Sequence, residues 1–287
     1  MAKGILVSIG GAEDKGTDLE AGVIDRNRLN FFELGILSSF IKLIQKESPR
    51  IEVITTASTI PDEVGENYLD AFSKLDCNNI GHLRIRNRED ASNEEYIERL
   101  KSADAIMFSG GNQLKLTSIF GGTEFLQILN HRYHNEESFV IAGTSAGAMA
   151  MSNTMIYEGN ASRSHLKGEV KITTGLAFVK DVIIDSHFDK RGRFSRLAQA
   201  VASNPQALGI GLGEDTGVII RNDDTLEIIG SGAVILVDGQ NIRHSNIAEI
   251  ADGSPISVEN IKVHILERGN QYNLQTKKFE AKVNEMI

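Results

Sequence analysis

The run Gly143-Thr144-Ser145-Ala146-Gly147 holds a serine hydroxyl between two glycines. An apolar stretch, residues 139–142, leads into it, and Ala148-Met149-Ala150-Met151 leads out. Strand, tight turn and helix in that order make the nucleophile elbow of serine hydrolases. The turn lifts the hydroxyl above the sheet, and small neighbours let strand and helix approach closely. Ser145 is therefore the expected nucleophile, and the Ala146 N–H an expected oxyanion donor at a helix N-terminus. A glycine-rich turn with Ser145 as a simple helix cap is the bland alternative. A second pair, in Gly110-Gly111-Asn112-Gln113, follows the apolar run 105–109. In a parallel sheet this loop opens at the same carboxyl edge, where α/β sheets place ligands. The Gly111 N–H is expected to complete the oxyanion hole, a contribution of about 3–4 kcal/mol to the barrier. Gly10-Gly11 is a similar pair, without the G-x-G-x-x-G spacing of a dinucleotide site.

Seven histidines compete for the role of general base. His131 and His134 are one helical turn apart, but no third ligand accompanies them, so solvent-facing side chains and no metal are expected. His82, His244 and His264 lie in or beside strand-like stretches without nearby chemistry, and His165 lies in a polar loop, residues 158–168. His187 follows the apolar run 182–185, which puts it at a sheet edge, held within reach of a serine. A partner acid must fix its tautomer. Asp185 is two residues away and reads as the same strand face, while Glu214 closes the apolar run 209–213. Spacing alone leaves both open. With Glu214, the order serine, histidine, acid excludes the serine, acid, histidine order of α/β-hydrolases. The single cysteine, Cys77, follows a helix-like run and has nothing beside it to activate a thiolate.

Arg191, Arg193 and Arg196 stand at the start of a helix-like run. Positive charge in a first turn opposes the helix dipole, and Arg193 and Arg196, three apart, repel. A carboxylate partner, in a substrate or elsewhere in the chain, offsets both penalties, because guanidinium groups grip carboxylates through two hydrogen bonds.

These side chains need a scaffold. Strand-like runs at 4–9, 51–56, 80–85, 105–109 and 139–142 alternate with helix-like runs near 29–46, 62–75, 93–101 and 123–133. The strands are apolar on both faces, as in a buried parallel sheet. The alternation predicts a doubly wound α/β architecture. A strand at 182–185 and a helix at 193–202 continue the pattern. Strands at 209–212, 217–220, 225–229 and 233–237, with one or two more after 261, are expected to extend or cover the sheet. All of this reads as one domain, residues 1–287. The composition, 41% apolar and 24% charged, is ordinary for a globular protein. No run approaches the roughly 18–20 apolar residues of a membrane span. A net charge of −9 without a basic run argues against nucleic acid. Met1-Ala2-Lys3-Gly4 lacks the organisation of a secretory signal. With one cysteine, a cytoplasmic protein is expected.

Taken together, several stretches resemble a known family. They are residues 4–15, Thr56-Ala57-Ser58, Gly110-Gly111-Asn112-Gln113, Gly143 to Ala148, Asp185-Ser186-His187-Phe188, residues 191–197 and residues 211–216. Over residues 4–237 the chain is similar to the cyanophycinases, a serine peptidase family that also holds aspartyl dipeptidase. The resemblance implies an α/β three-layer sandwich with a mostly parallel sheet, like class I glutamine amidotransferases and flavodoxin, with serine replacing the elbow cysteine. It implies a triad of Ser145, His187 and Glu214, and so prefers Glu214 to Asp185. It implies substrate contacts from Gln113, Arg191, Arg193 and Arg196, no cofactor, and a homodimer. The implied substrate is cyanophycin, a polyaspartate backbone carrying arginine on each β-carboxyl, cut to β-Asp-Arg dipeptides. Two departures bear on the pocket: Ser186 stands where the family usually has a glutamine near substrate, and Asn112 where aspartate is common. A related exopeptidase for Asp-X or isoaspartyl dipeptides and a non-catalytic member of the fold are the alternatives.

Overall fold

The computed structural model describes residues 2–16, 29–160, 162–189, 193–222 and 224–281. The first half alternates strands and helices: β1 Ile5–Ile9, α1 Ile36–Leu43, β2 Ile51–Ile54, α2 Pro61–Lys74, β3 Ile80–Leu83, α3 Glu94–Ser102, β4 Ala105–Phe108, α4 Gln113–Phe120, α5 Glu124–Asn135, β5 Val140–Thr144 and α6 Ala146–Met149. There follow β6 Thr154–Glu158, β7 Lys171–Thr174, β8 Val182–Asp185, α7 Phe194–Ser203, β9 Leu208–Leu212, β10 Thr216–Arg221, β11 Thr225–Gly230 and β12 Val234–Asp238. Short strands close the chain: β13 His244–Ser245, β14 Val258–Glu259, β15 Lys262–Leu266, β16 Gln271–Asn273 and β17 Lys278–Glu280.

Five parallel strands, in the order β3-β2-β4-β5-β1, form the heart of a nine-stranded sheet. On the far side of β1 the sheet continues antiparallel through β10, β11, β16 and β17. Successive side chains of a strand point to opposite faces, and both faces are apolar here. Leu6, Ile54, Ile106, Phe108 and Ile141 pack on one side, against Leu100 of α3 and Phe125 and Leu129 of α5. Val7, Ile9, Val53, Met107 and Ala142 pack on the other, against Phe40 of α1 and Tyr68 and Phe72 of α2. That two-sided burial is why the strands read as continuous apolar runs.

The later strands divide. Only β10, β11, β16 and β17 extend the main sheet, whereas β8, β9, β12 and β15 make a second sheet in the order β15-β12-β9-β8. Its Ile184, Ile210 and Leu236 join the core shared with α3 and α5, and its Ile183 and Val237 pack against Leu197 and Val201 of α7. Turn signals and alternation mark a strand but not the sheet it joins. The helix expected from residue 29 begins only at Ile36, because the Glu33, Leu34 and Gly35 N–H groups all turn back to the Asn30 carbonyl. A helix outside the expected runs, α4, begins at Gln113, inside the stretch read as a loop, and its first turn is capped by Asn112 Oδ1 accepting from the Leu114 N–H at 2.9 Å. Among the described residues no helix is long and apolar enough to cross a membrane.

Candidate active site

Strand β5 ends at Thr144 and α6 begins at Ala146, so Ser145 occupies the whole turn between them, at φ 51° and ψ −111°. A non-glycine residue rarely adopts this conformation, and strain of this kind collects at functional sites. Close packing holds it. A Cβ on Gly143 would sit 2.7 Å from the Gly147 carbonyl carbon, and one on Gly147 would sit 2.6 Å from the Phe108 carbonyl oxygen. The helix after the elbow is a single turn, shorter than the sequence pattern predicts. What it offers is individual N–H groups rather than a macrodipole, which needs a longer stack of peptides.

Ser145 Oγ lies 3.0 Å from His187 Nε2, and His187 Nδ1 lies 3.1 Å from Glu214 Oε1. A carboxylate can only accept, so Nδ1 carries the proton and Nε2 is left as an acceptor for the serine hydroxyl. His187 and Glu214 are partly shielded, with side-chain exposures of 24% and 14%. The Gly110 Cα approaches from the end of β4, where a Cβ would stand 3.6 Å from Ser145 Oγ. Neither the Gly111 nor the Ala146 N–H finds a backbone acceptor among the described residues. A hydroxyl, a neutral imidazole acceptor and nearby N–H donors are the parts that acyl transfer requires.

The other acid candidate, Asp185, does something else. It is fully buried, and Arg196 grips it with Nε at 2.9 Å on Oδ2 and with Nη2 on Oδ1. Arg193 Nη1 adds a contact at 3.2 Å and also donates to the Ser186 carbonyl at 2.5 Å. The expected substrate grip of Arg193 and Arg196 is thus corrected: their guanidinium groups, in residues only 8% and 7% exposed, hold an internal carboxylate. Asp185 and His187 do not share a strand face, because β8 ends at Asp185 and His187 turns out at φ 49°. Ser186, at the position where the family usually has a glutamine and where a substrate contact is also expected, is 1% exposed and its hydroxyl donates to Met149 Sδ at 3.2 Å. Gln113 opens α4 and gives its amide N–H to the Ile156 carbonyl at 2.9 Å. Arg191 lies outside the described residues. His131 and His134 sit at the end of α5, where His134 Nδ1 pairs with the Asn130 carbonyl at 2.7 Å, and no third metal-ligating residue joins them among the described residues.

The sequence marked the Gly10-Gly11 segment after β1 as a glycine pair but gave it no role. Ser145, His187 and Glu214 come from three separate elements, yet residues 9–11 anchor the backbone at or next to each of them. The Ser145 N–H donates to the Ile9 carbonyl at 2.9 Å, the His187 N–H to Gly10 at 2.8 Å, and the Asp215 N–H to Gly11 at 2.9 Å. Gly11, at φ 110°, lies directly under the imidazole, and a Cβ there would come within 2.7 Å of His187 Nε2. A double glycine at a parallel strand end was the available signal. Burial pushes the carboxyl of Asp215 up, and hydrogen bonds from Ser231 Oγ at 2.6 Å and the Asp14 N–H at 3.2 Å oppose that rise.

Fold and site together define the class, a serine peptidase on an α/β scaffold. The profile of peptidase family S51 matches residues 30–228, and the chain belongs to that family. It is 35% identical over 280 residues to a cyanophycinase of Synechococcus elongatus, a match spanning 98% of this chain and 82% of that one. It is 33% identical over 268 residues to a cyanophycinase of Geminocystis herdmanii, across 93% of both chains. The crystal structure of a peptidase from an acI-B1 Actinobacterium superposes with a TM-score of 0.63, over 95% of this chain and 97% of that one. At 21% identity, that likeness speaks for the fold alone.

Proposed function

We propose that this serine peptidase hydrolyses the polyaspartate backbone of cyanophycin and releases β-Asp-Arg dipeptides. One observation carries the reading: an unbroken Ser145–His187–Glu214 chain of contacts at 3.0 and 3.1 Å, in a protein similar over nearly its whole length to cyanophycinases. Ser145 Oγ attacks the scissile carbonyl as His187 Nε2 takes its proton. Glu214 holds the imidazole in the right tautomer and stabilises the imidazolium that forms. The Gly111 and Ala146 N–H groups receive the oxyanion. His187 then returns the proton to the leaving amine, and water attacks the acyl-enzyme by the reverse route. Each of these steps is made by side chains and backbone of this chain, with no cofactor or metal.

Gln113, next to the Gly111 loop, and Arg191 are the proposed substrate contacts. The rest of the reading is a catalytic domain of the glutamine amidotransferase type, acting in the cytoplasm as a homodimer, which sedimentation would test. Mass spectrometry of the products from purified protein and cyanophycin tests the activity. β-Asp-Arg should appear with wild type and be lost in Ser145→Ala. Turnover of Asp-X dipeptides with the polymer left intact would overturn the substrate, and full activity in Ser145→Ala would overturn the mechanism.

A further inference from the structure

Glu13 is a carboxylate at 5% exposure, two residues beyond Gly11. Three donors converge on it. Lys15 Nζ reaches Oε1 at 2.8 Å, the Tyr68 hydroxyl donates to the same oxygen, and Thr144 Oγ1 donates to Oε2 at 2.6 Å. Tyr68 comes from α2, and Thr144 is the last residue of β5, directly before Ser145. One anion thus ties a helix, the segment after β1 and the elbow to a single point.

A buried carboxylate is costly unless its lone pairs are met by donors, and an apolar side chain of similar volume often fills such a space as well or better for stability. The carboxylate supplies something an apolar group cannot, a directional acceptor for the Thr144 hydroxyl. Thr144 Oγ1 is held 2.6 Å from Oε2 of a carboxylate whose other oxygen accepts from Lys15 and Tyr68. The backbone step to Ser145, at φ 51°, starts from that pinned residue. A strained turn persists only where its surroundings over-determine it.

We propose that Glu13 is a positioning residue for the nucleophile: through Thr144 it holds the elbow in the conformation that presents Ser145 Oγ to His187. The proposal rests on Ser145 being the nucleophile, and the test separates the two. Four proteins are compared, wild type, Glu13→Gln, Thr144→Val and Thr144→Ser. For each, kcat and KM on cyanophycin and the rate of labelling by a fluorophosphonate are measured. A displacement of about 1 Å at a reacting group costs on the order of 100-fold in rate. Glu13→Gln and Thr144→Val should therefore each lose roughly 10- to 100-fold in kcat with KM little changed. Labelling should slow in parallel, and Thr144→Ser, which keeps the hydroxyl, should restore both. Should Glu13→Gln fail to fold, the two Thr144 variants decide. A folded Thr144→Val with wild-type kcat and labelling, or a Thr144→Ser as poor as the valine, overturns the proposal while Ser145 stands. A wild type that resists labelling overturns the nucleophile assignment and this proposal with it.

Discussion

Two carboxylates stand at the ends of neighbouring parallel strands, Asp185 on β8 and Glu214 just past β9. Both are within a few residues of an apolar run, and both are near His187 in sequence or in space. Asp185 shares a face of its strand with Ile183, and that face packs on α7, the helix that carries Arg196. There the carboxylate is sealed by two guanidinium groups and has no path to the imidazole. Glu214 lies beyond the end of β9, where the chain has left the sheet and turns toward β10. It remains partly exposed and meets Nδ1 at 3.1 Å. The difference teaches that a carboxylate's partner follows from the layer its strand end faces: the helix layer gives it two guanidinium groups, the open carboxyl edge an imidazole.

The largest effect should come from Glu214→Gln. Loss of the acceptor on Nδ1 frees the wrong tautomer, and kcat should fall about 10³- to 10⁴-fold. Thermal unfolding of this variant should be close to that of wild type. If instead Asp185→Asn gave the larger loss of turnover per folded molecule, the assignment would be reversed. Asp185→Asn should appear first in stability, since it strands two buried cations. Removing one partner of a buried ion pair costs about 3–5 kcal/mol, measurable by urea unfolding. Gly11→Ala sharpens the comparison from the imidazole side. Its methyl would press on the ring, 2.7 Å from Nε2, and kcat should fall roughly 10- to 100-fold, as for a misplaced base, with KM little changed.

The smallest effect concerns a third carboxylate, the buried Glu13. Burial raises its pKa, but the Lys15 charge and hydrogen bonds from Lys15, Thr144 and Tyr68 outweigh burial and hold it below its ordinary value of 4.5. A depressed folded pKa gives stability that is present above the unfolded value and is lost as pH falls through the folded one. Wild type should therefore lose stability relative to Glu13→Gln as pH drops below 4.5, with the gap between them constant at neutral pH. Denaturant titrations across that range check the sign. A gap that widened on acidification would contradict it.

Much of the site was legible because local chemistry announces itself. The glycine-flanked serine between an apolar strand and a small-residue helix permits few readings, and two-sided apolar runs require a buried parallel sheet. The position of His187 after such a run placed it at a strand end. The partner of that histidine was not legible from spacing. Counting two residues back from His187 assumes that the strand continues, and a positive φ at His187 ends it. The arginines were recognisable as carboxylate binders, because charge at a helix start needs an anion. Whether that anion belonged to a substrate or to the chain depended on which way β8 faced.

By itself, then, the sequence determined most of the element types and the parallel core and pointed to Ser145 as the expected nucleophile, all of which follow from periodicity and turn chemistry over a few consecutive residues. Only the tertiary structure decided that four later strands form a second sheet and that Gly10, Gly11 and Glu13 sit beneath the site, and it showed Glu214 meeting the imidazole, a choice that residue spacing left open and only the resemblance favoured. The physical reason is the same in each case. Backbone period and local sterics act within a strand or turn, whereas partner choice depends on contacts between residues dozens to more than a hundred positions apart, which exist only once the layers have packed.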